Sequence, residues 1–194
     1  MVTTATTPRM TVDEFFEWTA RPENAGRRWE LVRGEVVEMP SPGYLHGVVC
    51  AIIAHILMTY AGRRGRGIVA TNDTRLVVNR VRDTTRGVDV MFIDEVQSFD
   101  SISPGPVTGV PALAVEVYSP SDRPGRLSQR IGDYFAHGVP LVWVVYPEEK
   151  VVDVYRPGRS VEAHTVADTL SGYDALLDFS CPVADVFRLP GTSA

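Results

Sequence analysis

With 194 residues, 44% of them hydrophobic and 22% charged, the chain has the size and balance of one ordinary soluble globular domain. A net charge of −5 argues against a generic electrostatic nucleic-acid binder, which is normally basic, while leaving room for a local basic groove. Cys50 and Cys181 stand far apart in no metal-type spacing, no apolar run reaches ~18 residues, and MVTTATTPRM lacks the order of a signal peptide. The expectation is a reduced, cytoplasmic protein with no membrane partner, with a loose tail over residues 1–10 and a single domain over 11–190.

In chain order, Thr11-Val12-Asp13-Glu14 is a capping box that opens a short helix through Phe15, Phe16 and Trp18. After a polar break at Arg21 to Gly26, Trp29 to Met39 predicts two short strands around Arg33-Gly34. His46 to Tyr60 carries Val48, Val49, Ile52, Ile53, Ile56 and Leu57 at helical spacing, which predicts a long helix with a broad buried face. Ile68–Thr71, Arg75–Val78, Val88–Ile93 and Ala112–Tyr118 read as strands, and Ser98 to Val110 as a surface loop. Leu127 to His137 predicts a helix with Leu127, Ile131, Tyr134 and Phe135 on one side and Gly138 as its stop. Leu141–Val145 and Val151–Tyr155 are further strands, and from Thr169 only short elements follow. Strand, helix and strand from Ala112 to Val145 form a βαβ unit, so the class is α/β with a mixed sheet.

Two of these strands contain a lone acid. Glu116 stands among Ala112, Leu113, Ala114, Val115, Val117 and Tyr118; Asp89 stands between Val88 and Val90. A buried carboxylate is costly without a partner, and two close together cannot both stay ionised without a cation. A hard divalent ion with oxygen ligands would resolve this, and could activate water for attack at phosphorus. Solvation at strand ends, or pairing with arginines, would resolve it equally.

WELVRGEVVEM, the His46 helix, RGVDVMFID, PALAVEVYSPSDR, the Tyr134–Gly138 helix end and GVPLVWVVYP, in that order, resemble the Uma2 family of endonucleases within the PD-(D/E)XK restriction-endonuclease-like superfamily. The resemblance runs from about Met10 to Phe187. It implies a restriction-endonuclease-like mixed β-sheet flanked by helices, and a metal-dependent endonuclease that hydrolyses DNA phosphodiester bonds. Asp89 matches the acid of the PD element and Glu116 that of the (D/E)XK element; together they would hold Mg²⁺ or Mn²⁺. Glu30, the acid of the ELxxGE segment, would be a third carboxylate on the metal. His46 would orient a water or meet a phosphate, or else make an ordinary helix-terminal hydrogen bond. His55, His137 and His164 have no ligand spacing and read as structural or surface groups.

The pattern also departs from the family. Two residues after Glu116, where the superfamily lysine would stand, is Tyr118. In the Uma2 pattern the lysine comes from the following helix, and there this chain has Arg130, expected to contact the scissile phosphate. Arginine is a planar fork that stays protonated, so it clamps phosphate but shuttles protons poorly. Val88 replaces the proline of PD, Arg126 an aspartate, and Tyr146 the aspartate before Pro147. Lys150, the only lysine, lies in the turn after the Leu141–Val145 strand, not at either lysine position. The readings are therefore a weak endonuclease, an impaired nuclease-fold protein that binds nucleic acid or protein, or a metal-free interaction protein. A homodimer is compatible with each. Arg63, Arg64, Arg66, Arg75, Arg80, Arg82 and Arg86 make either a basic strip for DNA or a solvated arginine-rich region.

Overall fold

Thr11 caps α1 (Val12–Thr19) as its motif predicts: its hydroxyl accepts from the Glu14 amide while the Glu14 carboxylate accepts from the Thr11 amide at 2.8 Å. This helix docks Val12 and Phe15 against Leu31 and Val77 at one end of the molecule. The computed structural model describes residues 9–95, 98–119, 124–189 and 191; the tail expected over residues 1–10 lies mostly outside them.

The predicted hairpin is β1 (Trp29–Val32) and β2 (Glu35–Glu38), turning on Arg33 and Gly34, both with positive φ. The two strands expected around residue 73 are one strand, β3 (Ile68–Asn79), whose register shifts between Thr71 and Thr74 where Asn72 and Asp73 adopt left-handed backbone. Asx residues tolerate that conformation, so the chain bulges without ending the strand. β4 (Thr84–Ile93) begins four residues earlier than predicted, because Thr84 to Gly87 pair with β3 although they are polar or small. β5 (Leu113–Val117), α3 (Pro124–His137) and β6 (Val142–Tyr146) form the expected βαβ unit, with β5 and β6 parallel. β7 (Val151–Tyr155) and β8 (Glu162–His164), a strand the sequence did not signal, complete the sheet. β9 (Thr169–Ser171), β10 (Ser180–Pro182) and α4 (Val183–Val186) are the short terminal elements.

The eight-stranded sheet runs β2-β1-β4-β5-β6-β7-β8, with β3 also on β4. Only β5 and β6 are parallel; every other neighbouring pair is antiparallel. β3 lies along the whole of one edge of β4. β1 and β5 must therefore share the other edge: Leu31 pairs with Thr85, and Val115 with Val90. Between those contacts, from Arg86 to Asp89, the sheet forks and β4 has no strand paired with it on that edge. The backbone groups exposed there must find other partners.

α2 (Tyr44–Arg64) covers one face, packing Val49, Ile53, Leu57 and Tyr60 against Val90, Phe92, Val115, Trp143 and Val145. By length and composition α2 is long and apolar enough to cross a membrane, contrary to the sequence expectation; in the fold it is a core helix of the sheet. α3 covers the other face, packing Ile131 and Tyr134 on Met91, Ala114, Val142 and Val144. Side chains alternate along β5, so Leu113, Val115 and Val117 meet the α2 side, whereas Ala114 and Glu116 project toward α3.

Candidate active site

Glu116 is 6% exposed and is met by α3. Arg130 Nη1 donates to its Oε2 at 2.7 Å, and the Tyr134 hydroxyl, one helical turn further on, donates to its Oε1. Ile131 and Tyr134, three residues apart, share the core face, and Arg130, four residues before Tyr134, lies one turn away on the same side, so both donors reach one carboxylate. Tyr134 had no predicted role beyond packing. The available signal was its polar end: a buried tyrosine hydroxyl requires a partner.

Asp89, 6% exposed, sits across the fork. Its Oδ2 accepts from the Val117 amide at 2.8 Å and lies 3.2 Å from His46 Nε2. That amide is a backbone donor at the end of β5, so Asp89 closes part of the gap in the ladder. His46 reaches it from the first turn of α2, and its other ring nitrogen, Nδ1, is 3.6 Å from Cys50 Sγ. The row Cys50–His46–Asp89 is not an activated thiol: burial, reinforced by Asp89 and Glu116, pushes the Cys50 thiol up to about 12.

Glu30 on β1 is only 2% exposed, and both its oxygens are engaged. Oε1 accepts from the Gly87 amide at 2.9 Å and from Arg130 Nη2 at 2.7 Å; Oε2 accepts from Arg86 Nη1 at 2.9 Å. Arg130 Nη1 also donates to the Gly87 carbonyl at 2.9 Å. Both backbone groups of Gly87, unpaired at the fork, are therefore satisfied by side chains, one anionic and one cationic. Arg86, 4% exposed, ties Glu30 to Asp133 of α3.

A cleft of ≈ 60 Å³ opens on this assembly, bordered by Arg28, His46, Asp89, Glu116, Arg126 and Arg130. Arg28 is held by Asp73 and by the Pro40 carbonyl. Of the five expected site residues, Asp89, Glu116, Arg130 and His46 share this cleft, while Glu30 stands behind Arg130 and faces a neighbouring depression.

Burial raises the Glu116 carboxyl to about 8; Arg130 opposes this and Asp89 reinforces it. Burial works against the charge on Arg130, but Glu116 and Glu30 outweigh it and hold the guanidinium well above its ordinary value. The arginine therefore stays charged.

Among the described residues, no three His, Cys, Asp or Glu side chains converge on a point suited to a metal ion. Glu30, expected as a third ligand, is turned to Gly87, Arg86 and Arg130 instead. Asp89 and Glu116 remain as two carboxylates on one cleft, the number that a largely hydrated Mg²⁺ takes from protein. The cleft thus offers a divalent ion two carboxylates rather than three.

The arginines that the sequence left as either a basic strip or a solvated region do not form one strip. Arg86 is buried, Arg64 and Arg66 pair with Asp94, Arg80 pairs with Asp13, and Arg75 lies over the rings of Phe15 and Phe16. Lys150 is exposed in the turn between β6 and β7.

Comparison with known proteins agrees with this architecture. A protein from Anabaena variabilis ATCC 29413, described as a "putative nuclease", has the same fold: TM-score 0.73 at 18% identity, over 92% of this chain and 97% of that one. No curated protein matches the chain. The model of the Uma2 family, described as "Putative restriction endonuclease", matches residues 12–184, and the chain belongs to that family.

Proposed function

We propose that the protein is a slow, metal-dependent endonuclease that hydrolyses phosphodiester bonds of DNA in the cleft bordered by Asp89, Glu116 and Arg130. The observation that supports this best is convergence: residues from β4, β5, α2 and α3, separated by up to 84 positions (46 to 130), meet around one small opening. Asp89 and Glu116 would hold Mg²⁺ or Mn²⁺, which when bound supplies a Lewis acid and an activated water. The chain's own groups do the rest. His46 and the Val117 amide fix the orientation of Asp89. Tyr134 and Arg130 fix that of Glu116. Arg28 and Arg126, in the cleft wall, are the cations a backbone phosphate would meet on entry. Arg130 acts on charge developing at phosphorus through its field rather than as a proton donor.

One observation favours the second reading, a nuclease-fold binding module. The Arg130 guanidinium is already committed to Glu116, Glu30 and the Gly87 carbonyl, so a phosphate would have to compete for it. The deciding assay is nicking of supercoiled plasmid and cleavage of single-stranded DNA with Mg²⁺, with Mn²⁺ and with chelator. Slow metal-dependent cleavage, lost in Asp89→Asn and Glu116→Gln, is the expected result. Salt-dependent DNA binding without cleavage under any metal would replace the nuclease reading with the module.

A further inference from the structure

We infer that Arg130 is a built-in cation that competes with a divalent ion for Glu116, so that the natural chain binds such an ion weakly and loss of the guanidinium creates a stronger site. The inference rests on the reading that Asp89 and Glu116 are the ion's ligands. Its basis is how unequally the two buried glutamates are compensated. Glu30 has two arginines, Arg86 and Arg130, and the Gly87 amide. Glu116 has one arginine and the uncharged Tyr134. Removing Arg130 would leave Glu30 still paired with Arg86, but Glu116 beside Asp89 with no hydrogen-bonded cation: Arg28, which acts on both acids across the cleft, is itself paired with Asp73. Asp89 itself is met by the Val117 amide and by His46, neither of which is a permanent charge. Two adjacent carboxylates without a counter-ion are what a hard divalent ion stabilises best. A guanidinium at 2.7 Å from Glu116 Oε2 supplies that neutralisation already, and its planar fork is fixed by two further acceptors. Ion and guanidinium are thus alternative occupants of one electrostatic site, and each must weaken the other by the same factor.

The test is a titration with Mn²⁺, followed by the electron paramagnetic resonance of the free ion, on the wild type, Arg130→Gln, Arg130→Lys and the double variant Arg130→Gln/Asp89→Asn. Circular dichroism checks that each is folded. Arg130→Gln is expected to bind Mn²⁺ at least about tenfold more tightly than wild type, within the usual range of coupling between two sites. Arg130→Lys should fall between, since lysine keeps the charge without the fork. The double variant should lose the gain. If Arg130→Gln is unfolded without metal, Mn²⁺ should refold it in a dose-dependent manner and fail to refold the double variant. Equal Mn²⁺ affinity in wild type and Arg130→Gln overturns the competition while leaving the metal pair in place. Absence of binding in every variant overturns the competition and the metal pair together.

Discussion

Arg130 Nη1 lies 2.7 Å from Glu116 Oε2 while Nη2 lies 2.7 Å from Glu30 Oε1, so one guanidinium bridges two strands that never pair with each other. It spans the fork that β1 and β5 leave on the edge of β4 and supplies the Gly87 carbonyl with a donor. The ion pair is therefore as much a part of the sheet as of the cleft. In metal-free buffer, Arg130→Met is expected to destabilise the fold by roughly 3–5 kcal/mol, the range for breaking one side of a buried pair. Adding Glu116→Gln should recover part of that loss at pH 9, where the Glu116 carboxyl carries the charge that Arg130 neutralises. Urea unfolding of the two single variants and the double variant gives the coupling energy; a coupling near zero would show that the bridge carries no stability.

Asp89→Asn should behave differently. Asparagine can keep the hydrogen bond from the Val117 amide through its carbonyl oxygen, so the fold is expected to persist with a melting temperature close to wild type. What it loses is the charge next to Glu116. Thermal shift with and without Mn²⁺ on both proteins checks this; the same metal-dependent shift in the variant would remove Asp89 from the ligand pair.

Arg130→Lys is expected to raise cleavage. Lysine is a compact charge whose pKa can fall when buried, so it can take part in proton transfer, to which such groups typically contribute ~10²–10⁴-fold. The increase should lie toward the lower end, since a shorter amine must leave either Glu30 or the Gly87 carbonyl. Initial rates of plasmid nicking for both proteins, with and without chelator, are the measurement. Brisk wild-type cleavage that Arg130→Lys lowers would mean that arginine is the adapted residue.

Glu116 also links stability to pH. Burial raises its folded-state value from 4.5 to about 8. Between those values the folded protein retains a proton that the unfolded chain has released, so unfolding releases a proton and this group's contribution falls as pH rises from about 4.5 to about 8. Glu116→Gln removes the titration while keeping acceptor and donor atoms. Its melting temperature relative to wild type should therefore be more favourable at pH 9 than at pH 5. A difference that is constant with pH would mean that Glu116 is charged in the fold throughout, fully compensated by Arg130.

The role of α2 as a core helix can be checked on neighbouring residues. Leu57 is fully buried against the sheet, whereas Met58 is 53% exposed. Leu57→Ala should cost roughly 2–5 kcal/mol, and Met58→Ala no more than about 0.5 kcal/mol. Equal effects in urea unfolding would mean that the helix is seated differently.

What the sequence determined alone was everything carried by local period and local chemistry. The capping box at Thr11 and Glu14, the apolar face from Val49 to Leu57 and the strand–helix–strand run from Leu113 to Tyr146 are written in residues three, four or two apart, and all appear in the fold. Asp89 and Glu116 stood out because a lone acid in an apolar strand violates that period. The tertiary structure alone decided what those acids meet. Glu30 and Arg130 are 100 residues apart, and Arg86 and Glu30 are 56 apart, so their pairing depends on where β1 and β5 leave β4 rather than on any spacing. Hence Glu30 reads as a metal ligand by pattern but is a counter-ion in space, and Arg86 reads as surface charge but is buried. Thr84 to Gly87 likewise have no apolar alternation to mark them as strand; they are held there by β3, whose own path is set by a bulge at Asn72 and Asp73. Periodicity records which face a residue takes, whereas register and the fork in the sheet are long-range properties that only the packed chain fixes.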